Sequence, residues 1–187
     1  MDLLRLYPKP SNLFAVYNPS LQGNLSNSKL SLAEIALNSN IPSLALISTT
    51  YGRDIAIEWM KIQFASINEY AGQGKGASDA QLIEMCQLLL GEYYWMNLAE
   101  ICKFISLFKL GEYGKFYESI DPMTITHSLR TYIGERYADI ERYEREQERI
   151  RRQKEIEERG KNGVTYAQYL EMKARGEIPE YKEAQAC

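Results

Sequence analysis

Residues 93–122, YYWMNLAEICKFISLFKLGEYGKFYESIDP, restrict the fold more than any other part of the chain. Met96, Ala99, Cys102 and Phe104, then Ile105, Leu107 and Phe108, recur at helical spacing. Residues three and four apart share a helix face, so this spread predicts a core helix over 93–110, buried on more than one side. Gly111 follows Lys109 and Leu110. A glycine there takes the left-handed conformation that closes a helix, and a late lysine suits the negative helix end. Gly114 allows a second turn, with Tyr113, Phe116 and Tyr117 folding back to pin the corner. Asp121-Pro122 opens the next helix: Asp is the N-cap, and Pro stands at the first helical position, where its missing N–H costs nothing.

A second reading of the same stretch is an aromatic and basic platform for single-stranded nucleic acid, built from Lys103, Lys109, Lys115, Tyr113 and Tyr117. Burial is the stronger reading: a helix this apolar is needed to fill a core, and three lysines are few for a groove. The net charge of −3 and pI near 5.4 also exclude a surface basic enough to coat nucleic acid everywhere.

Residues 1–27 are rich in Pro, Asn, Ser and Gly. They read as a flexible N-terminal arm with Leu13, Phe14 and Val16 as apolar anchors. The helical bundle then runs over 28–143. Ser31 or Ser28 caps a short helix, and Glu34 three residues after Ser31 matches a capping box. Residues 44–47 read as a buried helical turn. Residues 52–72 read as a helix with Ile55, Trp59, Ile62 and Ile67 on one stripe and Arg53, Asp54, Glu58, Lys61 and Glu69 on the wet face. GQGKGAS at 72–78 lacks the spacing of a phosphate-binding loop and reads as a connector. Ser78 or Asp79 caps a helix running from Ala80 toward Leu110, which Gly91 bends or splits.

Residues 122–159 predict one very long helix. Ile125, Leu129, Ile133, Tyr137 and Ile140 make its first half amphipathic. The second half, an extension over 144–160, is charged, with Glu and Arg three and four apart. Such pairs add ~0.2–0.5 kcal/mol each and together hold a solvated helix. Its apolar spacing is too thin for a heptad seam, so the helix is expected to leave the core near Tyr143. GKNG at 160–163 ends it. Within 161–187, Thr165 caps a short amphipathic helix, YAQYLEMKAR, before a disordered tail. A helix this short cannot bury its apolar surface alone. A partner-docking surface is therefore expected on Arg149, Arg152 and Ile156 of the rod and on Tyr166, Tyr169 and Leu170 of the short helix; the alternative is that the C-terminal helix pairs with a second copy.

Catalytic and metal motifs are missing from the sequence. His127 is the single histidine, without an H-E-x-x-H or E-x-x-H partner, and Cys86, Cys102 and Cys187 form no C-x-x-C. No carboxylate pair at fixed spacing marks acid–base chemistry. The chain reads as a non-enzyme without cofactor. Its N-terminus does not read as a signal peptide and no run is long enough to span a membrane, so a cytoplasmic protein is expected.

The order PSLALISTTYGRDIAIEWM, then LAEICKFISLFKLGEYGKFYESIDPMTITHSLRTYIGERY, resembles an uncharacterised all-helical family carried by phages and mobile elements of gut bacteria. The resemblance covers roughly residues 41–143. In layout the chain is also similar to small phage helicase loaders, which pair a compact helical domain with a charged C-terminal extension that binds the replicative helicase. The expectation is an all-α bundle of four or five helices acting as an accessory protein on a replicative helicase or related DNA-replication or recombination ATPase.

Overall fold

The computed structural model describes residues 2–72, 76–114, 121–163 and 165–177. It is all-α. In chain order the helices are α1 (Leu3–Leu6), α2 (Pro10–Val16), α3 (Ser20–Ser26), α4 (Leu32–Ala36), α5 (Leu44–Tyr51), α6 (Arg53–Ala71), α7 (Asp79–Glu92), α8 (Leu98–Leu110), α9 (Pro122–Asn162) and α10 (Tyr166–Ala174). Two compact units are present, Met1–Tyr143 and Glu144–Cys187.

The first unit is built around α8, which packs against α3, α4 and α6; α6 packs in turn against α5 and α7. Trp59, Met60, Phe64 and Ile67 from α6 and Ile101, Phe104, Ile105 and Phe108 from α8 are buried together with Ile125, Leu129 and Tyr132 from α9. Phe104 is the hub. Its ring centroid lies 6.4 Å from Phe64, 6.0 Å from Phe108, 5.8 Å from Tyr113 and 5.7 Å from Tyr132, within the range in which tilted aromatic pairs attract.

Local chemistry accounts for the helix ends. The side chain of Ser31 accepts from Glu34 N, that of Ser78 from Gln81 N and that of Thr165 from Gln168 N, each closing a capping box. Asp121 accepts from Thr124 N at 2.8 Å and so caps α9. Gly111 takes φ +83° at the end of α8, a conformation that L side chains rarely adopt.

Two expectations are corrected here. The residues expected to form an N-terminal arm fold into α1, α2 and α3, with Leu3, Leu13, Tyr17 and Leu25 in the core. Trp59 Nε1 and Gln63 Nε2 both donate to Tyr17 O at 2.8 Å, which fixes α2 onto α6. The predicted helix over 93–110 begins only at Leu98, and Gly91 lies inside α7. Asn97 is the break: its side chain accepts from Glu100 N at 3.0 Å and donates to Ile35 O at 2.8 Å. The turn before it hydrogen-bonds the start of α5, Leu44 N to Met96 O at 2.9 Å and Ala45 N to Tyr94 O at 2.7 Å.

In the second unit, α9 continues to Asn162 on ion pairs rather than burial. Arg149 grips Glu146 through two bonds of 2.8 and 2.7 Å, and Arg152 Nε lies 2.7 Å from Glu148. No residue of α10 is buried.

Candidate functional site

In the second unit, the exposed side chains on α9 and α10 form the best candidate surface. On α9 an open groove of about 610 Å³ is lined by Glu148, Arg149, Arg152, Gln153 and Ile156, among others. It brings together three of the residues expected from sequence: Arg149, Arg152 and Ile156. Ile156 is 63 % exposed. The hydrogen bond from Arg149 lowers the pKa of the Glu146 carboxyl, and the bonds from Arg152 and Arg151 do the same for Glu148. The groove is thus a row of alternating fixed charges along an aliphatic side chain.

On α10, Tyr166, Tyr169 and Leu170 are exposed, Tyr166 by 77 %. The two tyrosine rings stack with centroids 6.4 Å apart and planes 18° from parallel. Their spacing of three residues puts both on one face, and Leu170 adjoins it. These three residues form an aromatic and aliphatic anchor on a helix of nine residues.

The residues expected to form a nucleic-acid platform are used differently. Lys103 is only 8 % exposed, and its Nζ donates to Leu25 O at 2.9 Å, at the C-terminal end of α3. A cation suits that end of a helix. Lys109 Nζ donates to Gln22 Oε1 at 2.8 Å and Ser66 Oγ at 2.9 Å, and burial lowers its pKa. Tyr113 packs on Phe104 and donates to Glu135 at 3.4 Å. Lys103 and Lys109 therefore face the interior and do not form a solvent-facing platform, because their long stems reach past an apolar helix to polar atoms below. Lys115 and Tyr117 lie outside the described residues.

Two features escape the sequence reading. One is the buried network in which Gln22 Nε2 donates to Gln63 Oε1 at 2.9 Å and Ser66 Oγ to Gln63 O at 2.6 Å, with Lys109 joined through Gln22 and Ser66. The other is an open groove of about 400 Å³ at the start of α9, lined by Gln81, Glu84, Met85, Leu88, Asp121, Pro122, Met123 and Thr126. Neither carries a local motif, since each joins residues tens of positions apart. Among the described residues no group of three or more His, Cys, Asp or Glu side chains could hold a metal ion, and no helix is long and apolar enough to cross a membrane. His127 is exposed on α9.

A family model described as a family of unknown function, DUF6633, matches residues 78–180, more than half of the chain. The chain belongs to this family. The DUF6633 match starts at Ser78, the N-cap of α7, and takes in α7, α8, α9 and α10. It differs in extent from the resemblance over residues 41–143: it leaves out α5 and α6 and includes the charged end of α9 and α10. No curated protein and no solved structure matches the chain.

Proposed function

We propose that the chain is a non-enzymatic accessory protein of a phage or mobile element. It docks on a DNA-replication or recombination ATPase through its C-terminal unit, in the manner of a helicase loader. The observation that carries this reading is α10, which exposes Tyr166, Tyr169 and Leu170 and buries nothing. A nine-residue helix gains little from its own hydrogen bonds in water. An amphipathic helix with anchors at spacings of three and four is the element that helix-in-groove recognition uses. Arg149, Arg152 and Ile156 on α9 offer a second exposed surface of charged and aliphatic side chains. The DUF6633 match covers α10 together with α7, α8 and α9.

The test is capture from nuclease-treated host lysate on the immobilised full chain, followed by binding to the purified ATPase. The full chain should retain one replication or recombination ATPase, and the variant Tyr166→Ala, Tyr169→Ala, Leu170→Asp should lose it. Retention that persists in this variant, or that requires intact nucleic acid, overturns the reading.

A further inference from the structure

The charged end of α9 carries a pattern that an accessory role does not require. At 3.6 residues per turn, Glu146, Arg149, Ile150, Gln153, Ile156, Glu157 and Gly160 share one face. Within the face, the residues are arranged about Gln153. Ile150 and Ile156 lie three positions on either side of it, and Arg149 and Glu157 lie four positions on either side, with opposite charge. Ile150, Gln153, Ile156 and the two charged residues are all exposed.

We infer that this face pairs with the same face of a second copy, antiparallel, about a two-fold axis through Gln153. A two-fold interface places the same patch on both chains, so residue i meets j and j meets i. In the antiparallel register Gln153 meets Gln153, the two isoleucine pairs come to the same level, and Arg149 of each chain stands level with Glu157 of the other. Gly160 then stands level with Glu146 and leaves it room. The parallel, in-register pair is the reverse case. It brings Glu146 to Glu146, Arg149 to Arg149 and Glu157 to Glu157, and like charges across a helix seam repel.

Within one chain Arg149 holds Glu146, and Gln153 Nε2 donates to Glu157 at 3.0 Å. Arg149 and Glu157 thus each keep an intrachain partner on the same face, and the cross-chain contact shares them. The contact is a single symmetric patch rather than a repeating heptad, which is why the thin apolar spacing suffices. The inference does not rest on the accessory reading: α10 takes no part in it, although Arg149 and Ile156 belong both to this face and to the groove on α9.

The experiment is sedimentation equilibrium of the full chain from about 10 µM to about 1 mM, the span in which a small patch associates. The wild type should show a reversible monomer–dimer equilibrium. Arg149→Glu and Glu157→Arg each place like charges at two symmetric contacts and should weaken dimerisation about tenfold or more. Mixing the two variants restores both contacts and should give a heterodimer, and the double variant should dimerise like the wild type. Lys154→Glu, off the face, should change nothing. Circular dichroism confirms that each variant keeps its helix content. A monomer throughout, a dimer indifferent to both single reversals, or a mixture that fails to associate overturns the inference. Capture of the ATPase by α10 is read separately, so failure of one reading leaves the other standing.

Discussion

Arg136 on α9 hydrogen-bonds through Nε to the carboxylate of Glu100 on α8, and both side chains are buried. The Arg136 guanidinium also lies 4.5 Å from the Trp95 ring centroid and 5.4 Å from that of Tyr137. Glu100 is held from the other side by Asn97 N at 2.9 Å. Removing one member of a buried pair leaves the other charge uncompensated, at about 3–5 kcal/mol. Arg136→Met should therefore lower unfolding stability by that order in urea. The double variant Arg136→Met, Glu100→Gln should cost less than the single one. A single-variant cost below about 1 kcal/mol would mean that the pair behaves as a solvated surface bridge.

Tyr132 presents the opposite situation. It is fully buried beside Phe104, yet its hydroxyl has no hydrogen-bond partner among the described residues. Burial, reinforced by the Glu100 carboxylate, pushes its phenol well above the usual range. A buried hydroxyl without a partner costs about 1–3 kcal/mol, so Tyr132→Phe, which keeps the ring, should leave thermal stability unchanged or raise it by about 1 kcal/mol. A loss of similar size would show that the hydroxyl is paired.

Ser31, Ser78, Asp121, Thr165 and Gly111 were legible in the sequence because a cap acts on residues three or four away. The helices that follow them, α4, α7, α9 and α10, were placed for the same reason, and Gly111 marked the end of α8. The N-terminal helices were not legible. At four to seven residues, α1, α2 and α3 are too short to show a period, and Pro, Asn and Ser read as loop. What holds them is tertiary: burial of Leu3, Leu13 and Leu25, and polar contacts to Gln63 more than 40 positions away. Asn97 was missed because its cap lies inside an apolar run where Gly91 looked the better break. At the candidate site, the exposure of Ile156, Tyr166, Tyr169 and Leu170 followed from the change in composition after Tyr143. The inward turn of Lys103 and Lys109 did not, since a charge on a core helix points toward water unless a distant carbonyl or amide receives it.

Cys86 and Cys102 make stability fall at high pH. Burial pushes each thiol up to about 12 from an ordinary 9.0. Between these values the unfolded chain has released the thiol proton and the folded chain has kept it. The folded state then binds more protons, so its stability is complete below pH 9 and is lost as pH rises toward 12. Each thiol contributes a slope of about 1.4 kcal/mol per pH unit within that window. Lys109, whose pKa is lowered by burial, acts with the opposite sign and offsets part of it. Urea midpoints should drop steeply above pH 9, and Cys86→Ala with Cys102→Ala should flatten the drop. An equally steep profile in the double variant would assign it to the buried tyrosines.

Lys103 and Lys109 give a direct separation between fold and nucleic-acid binding. Lys103→Met keeps the buried stem and removes the bond to Leu25 O, while Lys109→Met leaves Gln22 Oε1 and Ser66 Oγ without their cation. Leu25 O keeps Ser28 Oγ as a donor and Gln22 Oε1 keeps Ser66 Oγ, so each substitution removes a hydrogen bond from a charged donor, worth about 1.5–3 kcal/mol, and both variants should unfold at lower urea. Neither should alter how the chain behaves toward a single-stranded oligonucleotide titrated at several salt concentrations. If these lysines contacted phosphates, each substitution would instead weaken binding uniformly across sequences and reduce the salt slope by about one. Stability loss with unchanged binding assigns both lysines to the interior; a reduced slope with unchanged stability would return them to the surface.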